Sequence, residues 1–183
     1  MIRRRSTPLR SEGFSLAELV VVIAIVGIMS GIGIVTFSAV LRRERANAIA
    51  SALAGWLDQT SRSAPNVGQT CTVTISTGQL SAGDVLASVT PAGCAQPATL
   101  TVPDFSGGGT ARVAATPDTF FFTPRATIAT AGNANPDVLL RMSVADQPPL
   151  RCIRLTGALG ILEIGRNTSA SSTRATCDQW NDI

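Results

Sequence analysis

From Leu19 to Leu41 the chain carries 23 consecutive residues without a charge. Beyond it the pattern becomes one-sided. Ala46, Ile49, Ala50, Leu53 and Leu57 recur at steps of three and four, which is one face of a helix, while Arg42, Arg43, Glu44, Asn47 and Asp58 take the other faces and Trp56 adjoins the stripe. No breaker separates the two patterns, so together they predict one helix over about 15–62, apolar all round in its first half and amphipathic in its second. Arg62-Ser-Ala-Pro65-Asn-Val-Gly68 supplies the stop. After Gly68 the texture changes to short segments rich in Val, Ile and Thr, separated by Gly, Pro, Asn and Asp. Strands are predicted at Thr70–Ser76, Val85–Thr90, Thr99–Val102, Thr119–Thr123, Ala126–Thr130, Asp137–Val144, Leu150–Thr156 and Gly160–Ile164. The expected fold class is α+β, with one long N-terminal helix packed on a mostly antiparallel β head.

The uncharged run is long enough to matter by itself. At 1.5 Å per residue it extends roughly 35 Å, the thickness of a bilayer's hydrocarbon core. One carboxylate, Glu18, sits at its start, where insertion into lipid costs about 2.5–3.5 kcal/mol unless a partner is found. Gly13 and Phe14 precede it, and before them stands a basic segment with Arg3, Arg4, Arg5 and Arg10 against Glu12. This order (basic leader, Gly, Phe, and Glu at the fifth position after the Gly) resembles the N-terminus of type IV prepilins and type II secretion pseudopilins. The resemblance implies cleavage by the prepilin peptidase between Gly13 and Phe14 and N-methylation of Phe14. It also implies pairing of the Glu18 carboxylate with the new amine on a neighbouring subunit, a contact made in low dielectric. The helix would then remain in the mature protein, unlike the apolar core of a secretory signal, which precedes its cut. The expected organisation is a leader at 1–13, a transmembrane and assembly helix at 14–41, an amphipathic continuation at 42–64 and a head at 65–183. The leader arginines place the N-terminus in the cytoplasm and the head in the periplasm, with one pass through the inner membrane. Gly27 and Gly31 form a small-xxx-small pair that either admits close helix contact or lets the helix loosen in a fibre.

Charge then changes the picture less than its total suggests. The chain has a net charge of +3 with no His, and every cation is Arg. The leader accounts for that excess, and the remaining 11 Arg and 11 acidic residues balance. A near-neutral mature chain argues against a general nucleic-acid binder. Absence of His and Tyr removes the common general bases and proton shuttles, and no phosphate loop, serine elbow or paired-Cys zinc spacing occurs. Gly107-Gly108-Gly109 reads as a loop. No enzymatic activity, cofactor or metal is expected.

Four cysteines, Cys71, Cys94, Cys152 and Cys177, allow three pairings, and an even count in a domain outside the cytoplasm suggests disulfides. Cys71–Cys94 with Cys152–Cys177 encloses the shortest loops and is the preferred set; buried free thiols are the alternative. In the final third, Phe120-Phe121-Phe122-Thr-Pro124-Arg125, the strand Val138-Leu139-Leu140, Arg151-Cys-Ile-Arg154-Leu and Ile164-Gly165-Arg166 occur in order. This looks like the H-type pseudopilin family (GspH), which includes the FimT-like minor pilins. It implies two sheets packed on the helix and a Gly-Arg strand end closing the chain.

Two functions follow from that resemblance. The first is a minor pseudopilin of a type II secretion system, whose partners are the prepilin peptidase, other pseudopilin subunits, the inner-membrane assembly platform and membrane lipid. The alternative is a FimT-like minor pilin of a type IV pilus that captures DNA for natural transformation through Arg151, Arg154, Arg166 and Arg174. DNA-binding members carry Gly-Arg-x-Arg, whereas Gly165-Arg166-Asn167-Thr168 has Thr in the last place.

Overall fold

A computed structural model describes residues 15–104, 109–132 and 137–180, apart from the side chains of residues 31–36. The leader, Gly13 and Phe14 lie outside these residues, as do Gly107 and Gly108. The chain divides into two compact units, Met1–Ala39 and Val40–Ile183, and α1, Leu16–Val67, belongs to both.

In the first unit the described part of the helix is bare. Its large apolar side chains between Leu16 and Met29 are 51–81% exposed, and the run Leu19-Val20-Val21-Val22-Ile23 alone covers a full turn. Among the described residues no helix is long and apolar enough to cross a membrane. The uncharged run from Leu19 to Leu41 includes residues 31–36, whose side chains are outside the description.

In the second unit one face of α1 is buried. Ala46, Ile49, Ala50, Leu53 and Leu57 are 0–2% exposed, as the spacing predicts, and Ala54, Trp56 and Ala64 join them. Trp56 satisfies its indole by donating from Nε1 to the carbonyl of Pro97 at 2.9 Å, and buried Thr60 donates to the carbonyl of Trp56 at 2.7 Å. The helix runs past its expected end at 62 to Val67, with Pro65 inside it. Pro65 is exposed and Ala64 is 0% exposed, so the last turn adds buried surface while the proline stands on the solvent side. The stop is Gly68. Its φ of 68° is left-handed, and its N–H reaches the carbonyl of Ala64 at 3.1 Å, a glycine C-terminal cap.

Among the described residues eleven strands follow, and every pairing among them is antiparallel. They are β1 (Cys71–Ile75), β2 (Gly78–Leu80), β3 (Val85–Thr90), β4 (Thr99–Thr101), β5 (Ala111–Thr116), β6 (Thr119–Phe122), β7 (Ile128–Ala129), β8 (Val138–Val144), β9 (Gln147–Thr156), β10 (Ile161–Asn167) and β11 (Gln179–Trp180). One sheet has the order β4-β3-β1-β6-β7 and the other β11-β10-β9-β8-β5-β2. Alternation places Cys71, Val73 and Ile75 of β1 inward, as it does Phe120 and Phe122 of β6. The two rings meet edge to face at 5.7 Å. Phe121 is half-buried on the other face of β6, so the three-Phe run is a core strand. Side chains from α1 and both sheets form one apolar core.

All eight expected strands are present, β3 at the expected residues and the other seven with shifted ends. β9 begins at Gln147 instead of Leu150 because Pro148 and Pro149 fall within a register irregularity between the pairs Met142–Arg151 and Val144–Gln147, where no N–H donor is demanded. Ala145 and Asp146, with φ of 54° and 51°, make the tight β8–β9 turn with both central residues left-handed. β2, β5 and β11 were not expected. The Gly-Arg strand end does not close the chain, since β11 returns to pair with β10 through Gly165–Trp180 and Arg166–Gln179.

Both disulfides have the short-loop connectivity. Cys71 joins Cys94 and Cys152 joins Cys177, spanning 23 and 25 residues, and no cysteine is free. Loops of this size contribute about 3 kcal/mol each in the chain-entropy model.

Leu53, 0% exposed, lies at the centre of the stripe. Leu53→Ala is expected to cost about 2–5 kcal/mol, whereas Arg62→Ala, which removes an exposed pair with Asp58, should change stability by less than about 1 kcal/mol. Urea unfolding of the full chain in detergent, followed by tryptophan emission, checks both; equal effects would mean that the stripe is not the principal contact.

Candidate functional site

Two regions hold the residues that the sequence singles out. At the start of α1, Ser15 and Glu18 each cap a backbone donor: Ala17 N–H donates to Ser15 Oγ at 3.3 Å, and Ser15 N–H donates to Glu18 Oε2 at 3.2 Å. Ser15-x-x-Glu18 is a capping box, a pattern legible in the sequence beside the carboxylate itself. Glu18 thus satisfies a backbone donor at the positive end of a helix while remaining exposed. Its proposed partner, the amine of Phe14, lies outside the described residues.

The second region is in the head. The four arginines considered for DNA do not form one strip. Arg151 on β9 and Arg166 on β10 are direct cross-strand partners. With Arg43, Asn47, Ala50 and Ser51 of α1 and Ile164 of β10 they line a cleft between helix and sheet. Arg151 is only 6% exposed, and its Nε has no hydrogen-bond partner among the described residues. Burial depresses its pKa below the usual arginine value, the neighbouring guanidiniums of Arg43 and Arg166 push the same way, and Glu44 opposes them. Arg166 donates from Nε to Gln179 Oε1 at 2.7 Å. Arg43 is the member that sequence reasoning missed, because it read only as an exposed face of the helix; its partners lie more than 100 residues away in the chain.

Arg154, three residues from Arg151, falls on the opposite face of β9, since side chains alternate along a strand. There it donates to Glu163 Oε2 from Nε at 2.9 Å and from Nη2 at 2.5 Å, and its guanidinium lies 4.2 Å over the ring of Trp180. That face carries a small second core of Leu150, Cys152 and Cys177, with Leu139, Ala170, Ala175 and Trp180 packed against it. Asn167 shapes the tail over this core, accepting from the N–H groups of Ser169 and Ala170 at 3.1 and 3.0 Å and donating to the carbonyl of Thr176 at 2.9 Å. Arg174 lines a different, open cleft with Arg112, Asp146 and Ser171 to Thr173, where Arg112 and Asp146 already pair at 2.7 Å. Among the described residues no group of acidic, cysteine or histidine side chains is disposed to hold a metal ion.

No family model matches the chain, and comparison with curated proteins and with solved structures finds no match.

Gly165 is the position on which the tail closure turns. A Cβ there would lie 2.7 Å from Trp180 Cε3 and 2.9 Å from the carbonyl oxygen of Gln179, closer than atoms pack. Gly165→Ala is expected to displace Trp180 and cost about 1–3 kcal/mol. In a Trp56→Phe background, where Trp180 is the sole indole, this should appear as a red shift in emission. An unshifted spectrum would mean that β11 does not depend on the missing side chain.

Proposed function

We propose that this chain is a minor pseudopilin, a non-enzymatic fibre subunit of a type II secretion system, held by a single helix in the inner membrane with its head in the periplasm. The observation that carries the proposal is the uniform exposure of apolar side chains on α1 between Leu16 and Met29, beside a head that already has a closed core of its own. An apolar surface on every face of a helix has no folded partner to seek within one copy; lipid, or identical helices bundled in a fibre, covers it completely. The uncharged run continues to Leu41 in the sequence, a length suited to spanning a bilayer. Two disulfides in the head support an oxidising compartment. Prepilin-like processing between Gly13 and Phe14, methylation of Phe14 and assembly through Glu18 belong to the same reading.

DNA capture by a FimT-like pilin has less support. Arg154 is committed to Glu163 and Trp180, and Arg174 lines a cleft separate from that of Arg151 and Arg166. A strain lacking the chain, scored for secreted protein and for uptake of exogenous DNA, separates the two: secretion is expected to fail while transformation continues, and the reverse result would replace this reading with the pilus one.

Glu18→Gln retains an oxygen that can accept from Ser15 N–H but removes the charge. The variant is expected to insert and be cleaved normally while falling at least tenfold in fibres sheared from cells, measured by immunoblot. Normal incorporation would reduce Glu18 to its capping role. Gly13→Glu is expected to leave the leader attached, so an intact-mass spectrum with the mature N-terminus would refute the cleavage site.

A further inference from the structure

The least settled charge in the head is Arg151. Removing a guanidinium from water is costly unless its donors are met, yet Arg151 is 6% exposed and its Nε is without a partner among the described residues. Its cross-strand neighbour is another arginine, Arg166, a like-charge pairing that destabilises a sheet. A third, Arg43, faces the same cleft from α1. Arg43, Asn47 and Ser51 follow at intervals of four, one line along the helix, so a cation and two neutral polar side chains border the cleft over an apolar floor of Ala50 and Ile164. Glu44 opposes the three cations at Arg151, and it is exposed. Arg166 is engaged by Gln179, so the open donor of the cleft is the buried Nε of Arg151 beside Arg43, and an anion that accepts several hydrogen bonds at once, as a phosphate does, would meet it.

We infer that this cleft binds the phosphate of an anionic phospholipid headgroup. The inference rests on the membrane reading of the uncharged run. Arg43 follows that run after a single intervening residue, Arg42, so on that reading its charge lies in the headgroup layer, where each arginine adds about 1 kcal/mol of attraction to an anionic surface. A polynucleotide fits less well. Successive phosphates need a track of cations, and Arg154 and Arg174 are turned into other surroundings. A single phosphate needs only Arg43 and Arg151, which line the same cleft. Bound lipid would seat the head against the bilayer before the subunit leaves it.

The test uses the full-length protein in neutral detergent, titrated with phosphatidylglycerol or phosphatidylcholine and read by native mass spectrometry. One phosphatidylglycerol per chain is expected to be retained at concentrations where phosphatidylcholine is not. Arg43→Gln and Arg151→Gln should each weaken retention roughly fivefold, and Arg125→Gln, an exposed arginine outside the cleft, should leave it unchanged. If Arg151→Gln fails to fold, Arg43→Gln decides, because Arg43 is exposed. Equal retention of the two lipids, or wild-type retention by Arg43→Gln, overturns the inference. Displacement of the lipid by an equal concentration of inorganic phosphate would make this a soluble-anion site, and displacement by a short oligonucleotide would make it a nucleic-acid site; either overturns the lipid assignment. Flotation with vesicles of pure phosphatidylcholine separates the premises: failure to float refutes the membrane reading itself, whereas flotation without lipid selectivity refutes only the cleft.

Discussion

A β-sheet with one apolar face must bury that face, and in this head both sheets do so into a core shared with a single stripe of α1. Ile49, Leu53 and Leu57 share that core with Val73 and Phe120 of one sheet and Leu140 and Ile153 of the other. Removing the stripe would leave two antiparallel sheets with much of their inner surface wet. This dependence explains why the helix continues through Pro65 to Gly68. The turn containing Ala64 buries another side chain, and the proline occupies the side that has no packing to lose. The first unit obeys no such rule. Its large side chains between Leu16 and Met29 are as apolar as those of the core, but they are distributed over every face and remain exposed. The same helix therefore presents two surfaces suited to two different surroundings, and the boundary between them falls near the arginines at 42, 43 and 45.

Polar groups in the head divide by the face of β9 on which they stand. On the outer face, Arg154 is met by a carboxylate and an aromatic ring, so its charge is compensated and its flat surface covered. On the helix face, Arg151 has like charges as neighbours. Two arginines in one short motif thus have opposite electrostatic circumstances. The alternation of a strand is the whole cause, and a count of local charge conceals it.

The helix was legible because its period is long and strongly marked, and the Val/Ile/Thr strands because each has an inward-facing residue of substantial size. β3 falls at the predicted residues for that reason. The missed elements lacked that signal. β2, Gly-Gln-Leu, and β11, Gln-Trp, contain none of the Val, Ile and Thr that mark strands as short as β4 and β7, and β5, Ala-Arg-Val-Ala-Ala-Thr, has small side chains where a core strand usually places large ones. At the start of α1 the reverse occurred. The Ser15-x-x-Glu18 cap was present in the letters, but the carboxylate invited a long-range explanation before a local one. The arginine cleft was only half legible: Arg151 and Arg166 stand in the quoted motifs, while Arg43 joins them only through the packing of helix on sheet.

Neither disulfide includes a residue of the helix, yet one of them lies on the path by which the helix would transmit force. A pull on the N-terminal half of α1 reaches β1 directly through the chain at residues 68–70. It also travels sideways, from the Trp56 indole to the carbonyl of Pro97 and from the Gln59 amide to that of Gln96. The loop bearing those carbonyls is clamped at Cys94 to Cys71, the first residue of β1. The disulfide therefore links the second route to the same strand as the first, at the centre of its five-stranded sheet. Tension drawn through the helix would reach the central strand by covalent links at residues 68–70 and at Cys94–Cys71, and the edge strand β4, which begins two residues after Pro97, shares the load.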